Sequence, residues 1–261
     1  MSAETETGEA PEFENLPSRL DLIAPADLDD AQRAVYAAIT GGPRASQAGT
    51  VPIVDEAGRL AGPFAVMLLT PEVGNAMQQV GAKIRFSASL TARERELGIL
   101  AVAGRLRSDF ERLAHEPAAI KAGLTRAQVN AVLSGRVPDG LTEDEALIAR
   151  LAQVMTADRT LPDEDYAAGV AALGKERLAE LTWLVGYYSA LALALSVFRP
   201  AIPESFTAAR ETGELAKSRP HGLAVCDRLA WNLSHRPPQP SRPAQPRGAA
   251  PTWLTCKFRL T

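Results

Sequence analysis

Glu111 and His115 stand four residues apart in the run Ser108-Asp109-Phe110-Glu111-Arg112-Leu113-Ala114-His115. On a helix that spacing puts both side chains on one face. A carboxylate beside an imidazole orients the ring and raises its basicity, the arrangement of general acid–base chemistry. His115 is the one histidine of the first 216 residues. Glu96 lies on the preceding helical stretch, about ten residues before its end, and His115 lies about seven after the next begins. At about 1.5 Å per residue they sit roughly 15 and 10 Å from the corner, so a tight hairpin brings Glu96 to the Glu111–His115 face. Blander uses exist for each residue. Ser108 and Glu111 have the spacing of a capping box, Glu96 is a solvated charge within Arg93-Glu94-Arg95-Glu96, and His115 is a satisfied core histidine. Glu96, Glu111 and His115 as metal ligands make a poor zinc set, with one histidine and no cysteine among them. No metal and no cofactor are expected.

The elements that position these residues are helices. The chain is rich in Ala and Leu and has few β-branched runs, which favours helix over sheet. A first helix is expected from about Asp29 to Ile39, capped by Asp29 or Asp30. A loop with a short extended piece at Val51 to Val54 leads to Gly62-Pro63, the apolar run Phe64 to Leu69, and a helix opened by Pro71 that runs towards Ile84. Capping-box pairs then recur: Thr91 with Glu94, Ser108 with Glu111, Thr125 with Gln128 and Thr142 with Glu145. They predict helices ending near Leu106, at Lys121 before Gly123, near Gly135 and near Met155. Pro162-Asp163 opens another helix, ending near Gly174, and Lys175 or Glu176 begins a last one that stops before Pro200. The spacing of these signals leaves no room for a substantial sheet.

Charge and composition narrow the partners. Residues 217–261 carry eight Lys or Arg and one Asp, so the formal net charge of −3 divides into about +7 there and about −10 elsewhere. An acidic body argues against nucleic acid as a partner. Seven prolines between Pro220 and Pro251 and the lack of helical period mark 217–261 as a disordered basic tail, and 1–16 is expected to be a disordered leader. The acidic, polar stretch Met1 to Glu14 is unlike a secretory signal. Both cysteines, Cys226 and Cys256, lie in the tail, so no disulfide framework is expected and a cytoplasmic setting follows. Leu181 to Phe198 is eighteen residues without a charge, the lower limit for a membrane span. Its Ala, Gly, Ser and Tyr content favours a fully buried core helix, with no membrane partner.

The stretch Leu90 to Thr125 combines Glu96-Leu97, Ser108-Asp109-Phe110-Glu111, His115 and Ala122-Gly123-Leu124 in order. It resembles the core of the carboxymuconolactone decarboxylase family, itself similar to the alkyl hydroperoxidase D proteins. The likeness extends more weakly from about Leu16 to Phe198, including Gly62-Pro63-Phe64 and Gly186-Tyr187-Tyr188. It implies an all-α helical bundle over residues 17–216 that assembles as a homotrimer or homohexamer and acts on a small molecule. The peroxidase branch of that family carries a Glu, eleven residues, a Cys, two residues, a Cys, three residues and a His. That frame falls here on Glu96, Ser108, Glu111 and His115. Both cysteine positions are replaced, and neither replacement can be oxidised and resolved as a thiol pair is.

The resemblance therefore implies a cofactor-independent acid–base enzyme, a lyase or related hydrolase, acting on a small organic acid or lactone. His115 is its acid or base, Glu111 the orienting carboxylate, Glu96 a second proton carrier, and Ser108 positions substrate or water. The alternatives are an alkyl hydroperoxidase D-like antioxidant peroxidase, which the missing cysteines oppose, and a non-catalytic helical assembly protein.

Overall fold

A computed structural model describes residues 17–42 and 53–202. The leader, the whole tail with both cysteines, and Val51-Pro52 of the expected extended piece lie outside the described residues. Among the described residues there are eight α-helices: α1 Asp30–Thr40, α2 Pro63–Met67, α3 Pro71–Phe86, α4 Ala92–Leu106, α5 Asp109–Lys121, α6 Arg126–Leu133, α7 Glu143–Asp158 and α8 Asp163–Phe198. No strand occurs among them; Val54 and Leu60 form an isolated antiparallel bridge. The fold is all-α, as the sequence implies.

The caps explain most boundaries. Asp29 accepts from the Gln32 N–H while the Gln32 side chain returns to the Asp29 N–H. Thr91 with Glu94, Thr125 with Gln128 and Thr142 with Glu145 close the same reciprocal pair. Each satisfies two N–H groups that a helix start leaves orphaned.

The core is organised about α4, which packs against α5, α6, α7 and α8. Its residues from Glu96 to Ala103 are all buried. Leu97, Ile99 and Leu100 are fully enclosed, as are Ile148 and Leu151 of α7 and Leu181 and Leu184 of α8. Each such side chain contributes about 1.5–3 kcal/mol relative to exposure. Small residues allow the approach: a Cβ at Gly104 would lie 2.3 Å from the carbonyl oxygen of Leu133, so only glycine lets α4 and α6 meet there.

Ion pairs fix the register of α4. Arg93 donates to both oxygens of Glu145, at 2.6 and 3.2 Å. Arg177 bridges Glu94 at 2.5 Å and Asp144 at 3.2 Å. Glu94 and Glu96 are both buried, so the charges of this segment are not the solvated face their neighbours suggest. The reason is that Arg177 and His115 arrive from other helices to meet them, with Arg95 beside Glu96 on the same helix.

The last helix differs from expectation in burial. At Gly174, φ 75° and ψ 163° interrupt helical geometry, so α8 is two helical segments joined at the position where the sequence places a stop and a start. The apolar segment beyond it is buried on one face only. Leu181, Leu184, Tyr188 and Leu191 face the core, whereas Trp183 and Leu193 are 69% and 66% exposed. An apolar run all around a helix need not be enclosed all around when the domain supplies neighbours for one side.

Candidate active site

The α4–α5 corner brings the acidic and imidazole groups together. Arg107 adopts the left-handed conformation, φ 53° and ψ 44°. Its N–H donates to Gly104 O and the Ser108 N–H donates to Ala103 O. This closes α4 in the Schellman pattern and turns the chain back at once into α5. Ser108 is the N-cap residue of α5, but its side chain makes no capping bond. The expected Ser108–Glu111 capping box is absent because the Ser108 N–H is spent on Ala103 O and the Glu111 carboxylate turns to His115.

His115 is clamped between two carboxylates. Its Nδ1 lies 2.7 Å from Glu96 Oε2 and its Nε2 lies 3.4 Å from Glu111 Oε2. All three side chains are buried, as is Ser108. The structure thus brings together three of the four residues singled out from the sequence, Glu96, Glu111 and His115, while Ser108 is buried at the start of α5. Glu111 Oε1 and Ser108 Oγ are buried without a hydrogen-bond partner among the described residues.

Two further groups complete the cluster. Tyr188 of α8 stands edge-on to the His115 ring, centroids 5.2 Å apart at 89°, and Tyr187 packs edge-on to Tyr188. Arg85, on the last turn of α3, reaches the Tyr188 hydroxyl with Nη1 at 3.4 Å. Arg95 donates from Nη1 to the Arg85 carbonyl, and its Nε lies 3.8 Å from Glu96 Oε1. Tyr188 lay inside the Gly186-Tyr187-Tyr188 likeness, though without a role. Arg85 had no signal, since a basic residue at a helix end ordinarily complements the helix dipole.

The electrostatics follow from this packing. Burial disfavours a charged His115, but the Glu96 and Glu111 carboxylates outweigh it and hold the imidazole above its ordinary range, with Arg85 pulling the other way. Burial likewise opposes the Glu96 carboxylate, yet His115, Arg85 and Arg95 hold it below the usual carboxylate range. The Tyr188 phenol is pushed up to about 12 by burial, aided by Glu111 and Glu96 against Arg85. Carboxylate oxygens at both ring nitrogens favour the imidazolium, which has two N–H donors. Among the described residues no group of three His, Cys, Asp or Glu side chains is arranged to hold a metal ion.

Residues 71–154 match the model of the carboxymuconolactone decarboxylase family. That span holds α3, α4, α5, α6 and most of α7, and so every member of the cluster except the two tyrosines. Among solved structures, the chain is similar to an uncharacterized peroxidase-related protein from Silicibacter sp. TM1040, with a TM-score of 0.57 and 14% identity over 77% of this chain and 97% of that one. At that identity the likeness is one of fold. No curated protein matches the chain.

Proposed function

We propose, from the match of residues 71–154 to the carboxymuconolactone decarboxylase family model, that the chain is a cofactor-independent acid–base enzyme acting on a small organic acid or lactone. The observation that carries the reading is the clamping of His115 between Glu96 and Glu111. In a decarboxylation, the bond between the substrate carbon and its carboxylate breaks, carbon dioxide leaves, and the electron pair stays on the carbon, delocalised into the adjoining carbonyl. That carbon must then take a proton. His115 supplies it from Nε2, whose 3.4 Å contact to Glu111 is the looser of its two bonds, while Glu96 holds Nδ1 and stabilises the ring orientation. Solvent returns the proton to His115 as the product leaves. Positioned acids of this kind contribute about 10²–10⁴-fold to rate.

Peroxidase chemistry is disfavoured by the residues themselves. Ser108 and Glu111 occupy the corner where a thiol pair would be needed, and neither can form a disulfide. We further propose that copies of the chain assemble as a homo-oligomer, supported by the family likeness and the exposed apolar face of α8.

The test is turnover of carboxymuconolactone and a panel of carboxylated lactones, followed by carbon dioxide release, for the native chain and His115→Gln. The expected result is release that falls at least 10²-fold in the variant while circular dichroism is unchanged. Full activity of a folded His115→Gln protein would overturn the assignment.

A further inference from the structure

Arg85 is a half-buried guanidinium whose donor capacity is largely unspent. A guanidinium has five N–H donors in a planar fork. Arg93, Arg150 and Arg177 direct theirs to Glu145, Asp165, and the pair Glu94 and Asp144. Arg85 instead makes one long hydrogen bond, to the neutral Tyr188 hydroxyl, and a distant contact to the Phe86 ring at 6.0 Å. Among the described residues it holds no carboxylate at ion-pair distance. Burial opposes its charge, but Tyr188, Glu96 and Glu111 outweigh it, so what Arg85 keeps to spare is donor capacity and not unmet charge.

The surroundings say which anion. Arg85 hydrogen-bonds the Tyr188 hydroxyl, and the Tyr188 ring stands edge-on to His115, which puts the guanidinium fork one side chain away from the imidazole. A carboxylate is planar, carries one charge, and accepts two parallel bonds from a guanidinium fork. Glu111 Oε1, on the carboxylate beside His115 and without a hydrogen-bond partner among the described residues, offers an acceptor to the rest of a ligand.

We propose that Arg85 anchors a carboxylate of the substrate, fixing the reacting carbon against the His115 imidazole. The inference rests on the acid–base reading of the site and names the group that orients its substrate. The anchored carboxylate is one that the reaction leaves in place, because a guanidinium on a departing carboxylate would stabilise the ground state and slow the loss of carbon dioxide.

The probes are (5-oxotetrahydrofuran-2-yl)acetate, whose carboxylate is not on the reacting carbon, its methyl ester and inorganic phosphate, measured by calorimetry against the native chain, Arg85→Gln, Arg85→Lys and His115→Gln. The acid is expected to bind the native chain at least tenfold more tightly than the ester or phosphate. Arg85→Gln should weaken the acid about 10- to 100-fold and leave the ester unchanged. Arg85→Lys, which keeps the charge but loses the fork, should fall between. His115→Gln should still prefer the acid to the ester at least tenfold, so anchoring and proton delivery are read separately. Equal binding of acid and ester to the native chain overturns the proposal, as does a folded Arg85→Gln that binds the acid undiminished. Retained turnover in His115→Gln, with the acid preference intact, removes the acid–base reading and leaves Arg85 as an anion anchor.

Discussion

The buried pair of His115 and Glu96 makes stability depend on pH at two ends of the scale. In the unfolded chain His115 returns to an ordinary value of about 6.5, whereas the folded protein holds its proton more tightly. The pair's contribution is therefore full below about pH 6.5 and is lost as pH rises through the raised folded value. Glu96 acts in the opposite sense. Its contribution is present above its ordinary value near 4.5 and is lost as pH falls through the lowered folded value. Urea unfolding across this range should show both slopes in the native chain. His115→Gln should lose about 3 kcal/mol near neutrality, because Glu96 is left buried without its counter-charge. It should also lose the alkaline slope; an unaltered alkaline slope in that variant would mean that another group carries it. Arg85 was invisible to the sequence because its role depends on where α3 ends relative to α8, a tertiary fact. The reach from Glu96 to His115 was legible because it needs only the helical rise and one tight corner.

At the scale of elements, most helix starts were readable because a capping box is a local device. Thr91, Thr125 and Thr142 bond groups within three residues, so their sequence suffices. Ser108-Glu111 has the same spacing and fails because two distant demands, Ala103 O and His115, claim its partners first. Pro117, inside α5, also escaped notice: it lacks an N–H, so the Leu113 carbonyl loses its helical partner two residues before the imidazole. Gly174 was legible as a helix stop for a backbone reason. Its φ of 75° with ψ of 163° is a region that side-chain-bearing residues almost never occupy. Space is not the constraint, since nothing lies within 4 Å of an added Cβ. Gly174→Ala should therefore cost about 1–3 kcal/mol by strain alone. Thermal melts should show the loss with helical content retained. At Gly104 the obstacle is the Leu133 carbonyl, and Gly104→Ala should cost a similar amount by forcing α4 and α6 apart.

Across the whole molecule, the His115 cluster lies within the helical body, while both cysteines come later in the sequence, outside the described residues. The double variant Cys226→Ser with Cys256→Ser should keep whatever turnover the native chain has, and neither protein should reduce peroxide above background with a dithiol reductant. Peroxide turnover that vanished in the double variant would relocate catalysis to the cysteines. Among the described residues, the body also has an apolar face that its helices leave exposed. Trp183, Gly186, Ala190, Leu193 and Val197 are exposed along α8 at alternating intervals of three and four residues. That interval is the seam period by which helices pack on one another, with small residues where backbones approach and large ones as knobs. Val73 and Val80 of α3, which packs against α8, are exposed as well. A second copy presenting the same seam would bury Trp183 and Leu193 against it, and exposed apolar stripes of this kind mark association surfaces. Sedimentation at micromolar concentration should therefore show a homo-oligomer. Trp183→Glu, which sets like charges face to face across the seam, should shift it to monomer with helicity preserved. A native chain that sediments as a stable monomer would remove the self-association proposal, and an oligomer indifferent to Trp183→Glu would move its interface to another face.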